Sequence, residues 1–211
     1  MSTPLPAGAR LAFATHNAHK VDEVWAILSP HVPQLTREQF VDAAVLGTTA
    51  PVEDGTTFEA NALIKARALC TATGVPALAD DSGIAVDVLG GAPGVFSARW
   101  SGNHGDDRAN LRLLLDQLAE VRDEDRSAEF VCAAALVTPA GHEYVEVGRM
   151  HGQLVREPAG DGGFGYDPIF VASGQSVTNA ALAPADKNAI SHRGAAFRAL
   201  APRVAVELDG S

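Results

Sequence analysis

Cysteine and long apolar runs are both scarce in this chain of 211 residues. Only Cys70 and Cys132 are present, and their spacing is not that of a metal-binding cysteine cluster. We therefore expect two buried free thiols without a chemical role. Hydrophobic residues make up 46% of the chain. Glycine and proline divide them into short blocks, none approaching the roughly 18 apolar residues of a membrane span, so no transmembrane helix is expected.

The beginning of the chain lacks the pattern of a secretory signal. Residues 1–9 contain no basic start followed by an apolar run and a small-residue cleavage site, which predicts a cytoplasmic protein. Internal repeats, low-complexity linkers and long charge runs are also missing, so nothing marks a second independent domain. We expect residues 1–211 to form a single domain, a length that can bury a substantial core.

Positive charge is in short supply. The formal net charge is -10, and only three lysines accompany thirteen arginines. Polymeric nucleic acid is therefore an unsuitable partner, because its binding normally requires a basic face. A small phosphorylated ligand remains compatible, since local cations, backbone N–H groups and a divalent metal can hold it. Lys20, Lys65 and Lys187 each lie in a polar cluster, where a compact ammonium group suits a phosphate or a carboxylate.

Hydrophobic spacing predicts a mixed α/β fold. Its best-marked helix starts at a capping box formed by Thr56 and Glu59 and stops at Gly74. A turn at residues 139–141 predicts a hairpin. The predicted strands are residues 10–14, 75–79, 84–88, 128–137, 144–147 and 168–171, and the predicted helices are residues 20–28, 56–73, 106–121 and 191–206.

The first polar cluster lies between a predicted strand and the start of a helix. Free N–H groups and the positive end of a helix dipole suit an anion there, and Lys20 adds a full charge. The segment lacks the glycine pattern of common phosphate loops, so a plain helix cap is the alternative. Its residues are Thr15, His16, Asn17, Ala18, His19 and Lys20.

The second cluster is acidic. Glu53 and Asp54 precede the capping box, and Asp80 and Asp81 end an apolar strand, where carboxylates are costly without a partner. Glu53 and Asp81 suit Mg2+, which binds a few carboxylate oxygens and shares its other positions with water and phosphates. Strand neighbours point to opposite faces, so we expect one aspartate to face the metal and one to face the helix of Lys65. A turn that bonds local amides is the alternative.

The third cluster places two aromatic residues, Phe164 and Tyr166, among glycines in residues 162–168. Glycine lets backbone approach a ligand closely, so this loop can stack a flat base. A tight turn with both aromatics buried in the core is the alternative.

The last cluster combines Lys187 with Ser191, His192 and Arg193 near a predicted helix start. A 6-oxo purine presents acceptors at O6 and N7, which an arginine and a donor imidazole can satisfy. The 6-amino group of adenine would place a donor against them. The cluster therefore favours a 6-oxo purine over adenine.

Together these clusters resemble the inosine triphosphate pyrophosphatase family, whose members are also described as dITP/XTP pyrophosphatases. Six motifs stand in the family's order and spacing over nearly the whole chain. They are Thr15-x-Asn17-x-x-Lys20, Phe58-x-x-Asn61-Ala62-x-x-Lys65-Ala66, Ala79-Asp80-Asp81-Ser82-Gly83, Gly90-Gly91-Ala92-Pro93-Gly94, Gly163-Phe164-Gly165-Tyr166-Asp167-Pro168 and Ser191-His192-Arg193-Gly194.

The resemblance implies hydrolysis of ITP, dITP or XTP to the monophosphate and pyrophosphate. It implies Mg2+ at Glu53 and Asp81, with Asp81 as proton acceptor. As a mechanistic hypothesis, we expect Lys65 and Asp80 to hold that arrangement or to take a direct part in catalysis. The resemblance also implies a homodimer and an elongated mixed sheet flanked by helices, in two lobes with the active-site cleft between them. The implied nucleotide contacts are Thr15, His16, Asn17, Ala18, His19, Lys20, Ser82, Phe164, Gly165, Tyr166, Asp167, Lys187, His192 and Arg193.

Two features depart from the family pattern. His16 and His19 stand where small residues are common, and Asp54 follows Glu53 and could share the metal contact. Two rival functions also remain open. One is a pyrophosphatase directed at dTTP or UTP, and the other is a sensor that binds a nucleotide without cleaving it. A passive binder has little use for carboxylates near a phosphate, which argues against the sensor.

Overall fold

The computed structural model describes residues 5–210, except for the side chains of Ala18 and His19. Its strands are β1 Leu11–Phe13, β2 Phe40–Asp42, β3 Ala77–Val86, β4 Ser127–Val137, β5 Glu143–Leu154 and β6 Phe170–Ala172. Its helices are α1 Ala18–Leu28, α2 Phe58–Thr73, α3 Asp107–Gln117, α4 Pro184–Ile190 and α5 His192–Asp209. In the described part of the chain, no helix is long and apolar enough to cross a membrane.

The strands form one six-stranded sheet in the order β2-β1-β3-β4-β5-β6. β1 is parallel to both β2 and β3, whereas β5 is antiparallel to β6. The prediction of a mixed α/β sheet is therefore confirmed. The predicted hairpin is confirmed as well, because β4 and β5 are neighbours joined by a short turn in which Gly141 N donates to Thr138 O.

The chain divides into two compact units. Unit one holds the described residues up to Asp81, together with residues 132–148 and those from Arg193 onward, and unit two holds residues 82–131 and 149–192. Each unit has its own buried apolar clusters. The expectation of a single domain with two lobes stays a prediction.

Unit one buries apolar side chains on both faces of its strands. Leu78 of β3 packs in a cluster with residues of α1 and α5, whereas its neighbours Ala77 and Ala79 pack in a cluster with residues of α2. This alternation continues through the next two residues of β3. It places Asp80 on the same side as Leu78 and Asp81 on the same side as Ala79.

Three local predictions need correction. The cap of α2 is Thr57, whose hydroxyl accepts from Ala60 N, so the predicted cap at Thr56 is wrong by one residue. The aspartate pair lies within β3, so the turn considered for it is also wrong. β2 and α4 were not predicted. The stop at Gly74 is confirmed, because this residue has a φ of 71° and its N–H donates to Cys70 O.

Both cysteines are free and buried, as predicted. Cys132 lies on the α1 and α5 side of the sheet, in the same cluster as Leu78. Burial raises the pKa of its thiol far above the ordinary value, and the negative charge of Asp80 adds to this shift.

Candidate active site

Asp80 anchors a buried ion-pair network in unit one. Its side chain is 1% exposed, and Lys20 Nζ donates to both carboxylate oxygens, at 3.1 Å to Oδ1 and 3.0 Å to Oδ2. Arg193 adds bonds of 3.2 Å from Nε and from Nη2 to Oδ2. Burial alone would raise the pKa of Asp80, but Lys20 and Arg193 outweigh it and hold the pKa well below its usual range. Asp80 is therefore a charged anchor and is unsuited to accept a proton.

Glu23 belongs to the same network and was missed from the sequence. Arg193 Nη1 donates to Glu23 Oε2 at 2.9 Å. A signal was available, because Glu23 follows Lys20 by three residues in α1 and the two side chains therefore share one face of the helix. Arg193, which was predicted to meet the base, is 2% exposed and is held between Asp80 and Glu23.

Asp81 lies in a different cluster, on the α2 side of the sheet. Asp81, which was predicted to bind the metal, is thus also the aspartate that faces the helix of Lys65, whereas Asp80 faces α1. The prediction that the other aspartate would face that helix is wrong. Lys65 Nζ donates to Asp81 Oδ1 at 3.1 Å and to Glu53 Oε2 at 3.2 Å. Burial raises the pKa of Asp81, Lys65 partly opposes this, and the nearby charge of Glu53 raises it further. The three side chains thus place two acidic groups around one ammonium group. An aspartate whose pKa is raised in this way is suited to accept a proton.

Asn61 joins the two acidic segments. It is fully buried, its Nδ2 donates to Asp81 Oδ2 at 3.2 Å, and its Oδ1 accepts from Gly55 N at 2.9 Å. A Cβ at Gly55 would lie 2.6 Å from Asn61 Oδ1, so a larger residue cannot occupy that position without a shift. One amide therefore fixes both Asp81 and the loop that carries Glu53.

The acidic pair fits a divalent metal by its donor chemistry. Glu53 and Asp81 remain 27% and 14% exposed, and each carboxylate offers about four lone-pair sites. Mg2+ is commonly held by one or two carboxylates, with water and substrate phosphates completing its shell. No group of three or more His, Cys, Asp or Glu side chains suited to a metal occurs among the described residues. Asp54 is exposed, whereas Glu53 bonds Lys65.

The predicted phosphate loop leads into α1, in unit one. Asn17 N donates to Thr15 Oγ1 at 3.1 Å, and His16 Nε2 lies 2.9 Å from Thr48 O. Since a carbonyl oxygen only accepts, His16 must donate through Nε2 to form this bond. The side chains of Ala18 and His19 lie outside the described residues, so the contacts predicted for them stay predictions.

Asp167 organises the predicted base-binding loop of unit two. Its Oδ2 accepts from Phe164 N at 2.9 Å and from Lys187 Nζ at 2.6 Å. Lys187 Nζ also lies 5.2 Å from the centre of the Phe164 ring, which is within the range of a cation–π contact. Phe164 is 39% exposed, so an aromatic residue lies partly open to solvent near a fixed ammonium group.

The other two rings predicted for the nucleotide are buried in unit two. Tyr166 lies in the core and donates its hydroxyl to Ser97 O at 2.9 Å, and burial raises the pKa of that hydroxyl. His192 stacks on Phe130, with ring centres 4.9 Å apart and an angle of 12° between the planes. The alternative of a core aromatic therefore describes Tyr166, whereas stacking of Phe164 on a base stays a prediction.

The predicted site residues form two sets. The members of each set lie in one unit, and the set of unit one carries both the acidic pair and two of the three lysines. Unit one holds Thr15, His16, Asn17, Ala18, His19, Lys20, Glu53, Lys65, Asp80, Asp81 and Arg193. Unit two holds Ser82, Phe164, Gly165, Tyr166, Asp167, Lys187 and His192.

Comparison with known proteins finds extensive similarity. A family model described as the Ham1 family matches residues 11–203. A dITP/XTP pyrophosphatase of Streptomyces coelicolor is 52% identical, over 92% of this chain and 96% of the relative. One of Streptomyces avermitilis is 54% identical, with the same coverage of 92% and 96%.

Solved structures agree with these matches. A nucleoside-triphosphatase / dITP/XTP pyrophosphatase from Mycobacterium abscessus has a TM-score of 0.73 and 48% identity, and the match covers 92% of this chain and 98% of that one. A HAM1 protein from Coxiella burnetii has a TM-score of 0.82 and 38% identity, with coverage of 93% and 98%.

Proposed function

Because the chain belongs to the Ham1 family, we propose that it hydrolyses non-standard purine nucleoside triphosphates, namely ITP, dITP and XTP, to the monophosphate and pyrophosphate. The observation that carries the proposal is the bonding of Lys65 to both Glu53 and Asp81. This arrangement combines a proton acceptor, a metal-binding carboxylate pair and a cation. Each of the three can assist the hydrolysis of a phosphoanhydride.

Asp81 accepts the proton of the attacking water in the proposed reaction. Its raised pKa and its partial exposure suit this step, whereas the buried and saturated Asp80 does not. The water attacks the α-phosphorus, the bond from that phosphorus to the bridging oxygen breaks, and pyrophosphate leaves. Bound Mg2+ would supply positive charge to the phosphates and lower the pKa of the water.

Lys65 and Asp80 support this reaction in different ways. Lys65 bonds both Glu53 and Asp81 and so holds the two carboxylates close together. Its charge favours the ionised form of Asp81. Asp80 orients Lys20, whose ammonium group has three donors and can meet a phosphate while it bonds Asp80. Thr15, His16, Asn17, Ala18 and His19 are proposed to contact the triphosphate beside Lys20.

The base is assigned to residues of unit two. Phe164 stacks on its face, and Lys187 and His192 provide the donors that favour a 6-oxo purine. Ser82, Gly165, Tyr166 and Asp167 contribute backbone contacts or hold this loop. Arg193 is assigned to orienting Asp80 rather than to the base, because its guanidinium is bonded to Asp80 and Glu23.

We also propose the setting in which this activity operates. Mg2+ is the expected metal, a homodimer the expected assembly, and a single domain the expected organisation. The proposed substrates belong to the free nucleotide pool, which supports a cytoplasmic location. The net charge of -10 supports a small nucleotide over polymeric nucleic acid as the partner.

Pyrophosphate release from a panel of ITP, dITP, XTP, GTP, ATP, dTTP and UTP tests the proposal, with Mg2+ and with EDTA. We expect fast, EDTA-sensitive release from the first three only. Preference for dTTP or UTP would favour the pyrimidine-directed rival and would contradict the assignment of the base site. Absence of release from every triphosphate, with a folded protein, would favour the non-catalytic sensor.

A further inference from the structure

In unit two, the loop of residues 159–167 rests on the single helical turn Asn179–Ala181. Gly162 N donates to Ala180 O at 2.9 Å, and Thr178 Oγ1 donates to Ala159 O at 2.6 Å. A Cβ at Gly160 would lie 2.6 Å from the backbone of Ala180, so the two segments are in close backbone contact. The turn therefore determines where this loop lies.

Asn179 links the turn to the Asp167 carboxylate. Its side chain is 1% exposed, and its Nδ2 donates to Asp167 Oδ1 at 3.3 Å. A carboxylate accepts only, so the amide must present its NH2 group to it. The other oxygen of Asp167 serves Phe164 N and Lys187. Asn179 thus fixes one side of the carboxylate whose other side accepts from the backbone N–H of Phe164 and from the ammonium group of Lys187.

The amide oxygen of Asn179 does not take part in holding Asp167. Asn179 Oδ1 is buried and has no hydrogen-bond partner among the residues described. A buried acceptor without a partner carries a desolvation cost, so the side chain is a poor choice for stability alone. Its one bond goes to Asp167, which makes the orientation of that carboxylate its main effect.

We propose that Asn179 is a positioning residue for recognition of the nucleobase, acting through Asp167 on Phe164 and Lys187. This role rests on the proposed function, because Phe164 and Lys187 are assigned to the base there. When the bond from Asn179 is lost, the carboxylate is free to rotate about its Cβ–Cγ bond toward Lys187. The ammonium group and the backbone at Phe164 then lose their fixed position, which weakens binding of the base and leaves the phosphate residues of unit one unaffected.

Binding of IMP and of inorganic tripolyphosphate, each with Mg2+, separates these effects. IMP carries the base without an anhydride bond, and tripolyphosphate carries the anhydride without a base. The variants are Asn179→Asp, which has the same shape but turns a second negative charge toward Asp167, and Asn179→Ala, which removes the amide. Thr178→Val is the matched control, because it removes a bond from the neighbouring residue to the same loop without touching Asp167.

We expect Asn179→Asp to weaken IMP binding by about tenfold or more, and Asn179→Ala to weaken it by a few-fold. The inhibition constant of tripolyphosphate is expected to stay within about twofold in both, and Thr178→Val should leave the ratio of the two affinities unchanged. In turnover assays the loss should appear in KM for ITP and only slightly in kcat. A changed ratio of GTP to ITP hydrolysis would support the role further.

Unchanged IMP binding in both Asn179 variants would overturn the proposal. An equal loss of IMP and tripolyphosphate binding would also overturn it, since that result indicates a general structural role. Thermal unfolding of each variant identifies a folding defect. If Asn179→Asp does not fold, the binding test is made with Asn179→Ala. Because IMP binding needs no turnover, a wild-type protein that binds IMP but releases no pyrophosphate would contradict the proposed function and leave the role of Asn179 measurable.

Discussion

Asp80 and Asp81 are consecutive residues of β3, but they lie on opposite sides of the sheet and their pKa values are shifted in opposite directions. On the α1 and α5 side, Lys20 and Arg193 neutralise Asp80 and hold its pKa low. On the α2 side, Asp81 shares one ammonium group with Glu53 and its pKa is raised. Aspartate is thus a charged anchor on one side of the sheet, as Asp80, and a candidate base on the other, as Asp81. Partners and burial decide the role of each aspartate, and residue type alone does not.

The largest expected effect comes from Asp81→Asn. Loss of the proton acceptor should lower kcat for ITP by about 10^2 to 10^4-fold, because that is the usual contribution of a positioned general base. Far-ultraviolet circular dichroism should stay unchanged, since Asn has the same size and its one amide oxygen can still accept from Lys65. Near-normal turnover in this variant would remove Asp81 from the mechanism.

Asp80→Asn should act on folding first. It leaves the buried guanidinium of Arg193 without its charged partner on this side, and breaking a buried ion pair typically costs about 3 to 5 kcal/mol. Urea unfolding should therefore show a large fall in the free energy of unfolding, in contrast to Asp81→Asn. If the two variants lose equal stability, the contrast between the two sides of the sheet is wrong.

Asn61→Ala should raise the Mg2+ concentration needed for half-maximal activity by about 10 to 100-fold, as is usual when a residue that orients a metal-binding side chain is removed. Asn110→Ala is a matched control, because Asn110 is also buried and makes three hydrogen bonds, to Ser101 and Ala98, away from the predicted site residues. Both variants should lose stability. A similar change in the Mg2+ requirement of both would assign Asn61 a structural role only.

The loss of stability at acid pH should reveal the low pKa of Asp80. The pKa of Asp80 is lower in the folded chain than its ordinary value of 3.8, so its contribution is present above that pH and is lost as the pH falls below it. Between pH 4 and pH 2, the free energy of unfolding should fall more steeply in the wild type than in Asp80→Asn, by up to about 1.4 kcal/mol per pH unit. Parallel curves would contradict the low pKa.

The smallest effect is expected at Arg67, two residues after Lys65 in α2. Its guanidinium forms two bonds with Glu143, of 2.7 and 2.6 Å, but both side chains are exposed. Exposed ion pairs contribute about 0 to 1 kcal/mol, so Arg67→Ala should change unfolding little and turnover not at all. A loss of activity comparable to that of Lys65→Ala would show that charge on α2 matters irrespective of the face it occupies.

The sequence was sufficient to predict the elements with strong local signals. The end of α2 was predicted from Gly74, and the β4–β5 hairpin from the turn at residues 139–141, because glycine conformations and turn chemistry are local. β2 was not predicted. It has only three residues, and its strand conformation depends on parallel pairing with β1, which no local pattern indicates.

The site shows the same division between local and distant causes. Spacing was enough to propose that Asp80 and Asp81 face opposite sides of a strand. It could not show that Arg193, 113 residues from Asp80, is bonded to that aspartate. Asn179 gave no signal either, since its importance depends on a carboxylate 12 residues earlier in the chain that only folding brings within reach.

Cys132 gives the buried ion-pair network a chemical reporter. Its thiol is fully buried beside Asp80 and Arg193, and its raised pKa leaves almost no thiolate in the folded chain. Because the thiolate is the reactive species, an alkylating reagent can modify Cys132 only while this region is open. The labelling rate of Cys132, resolved from that of Cys70 by peptide mass spectrometry, therefore measures how often the packing between β4 and the helices α1 and α5 opens.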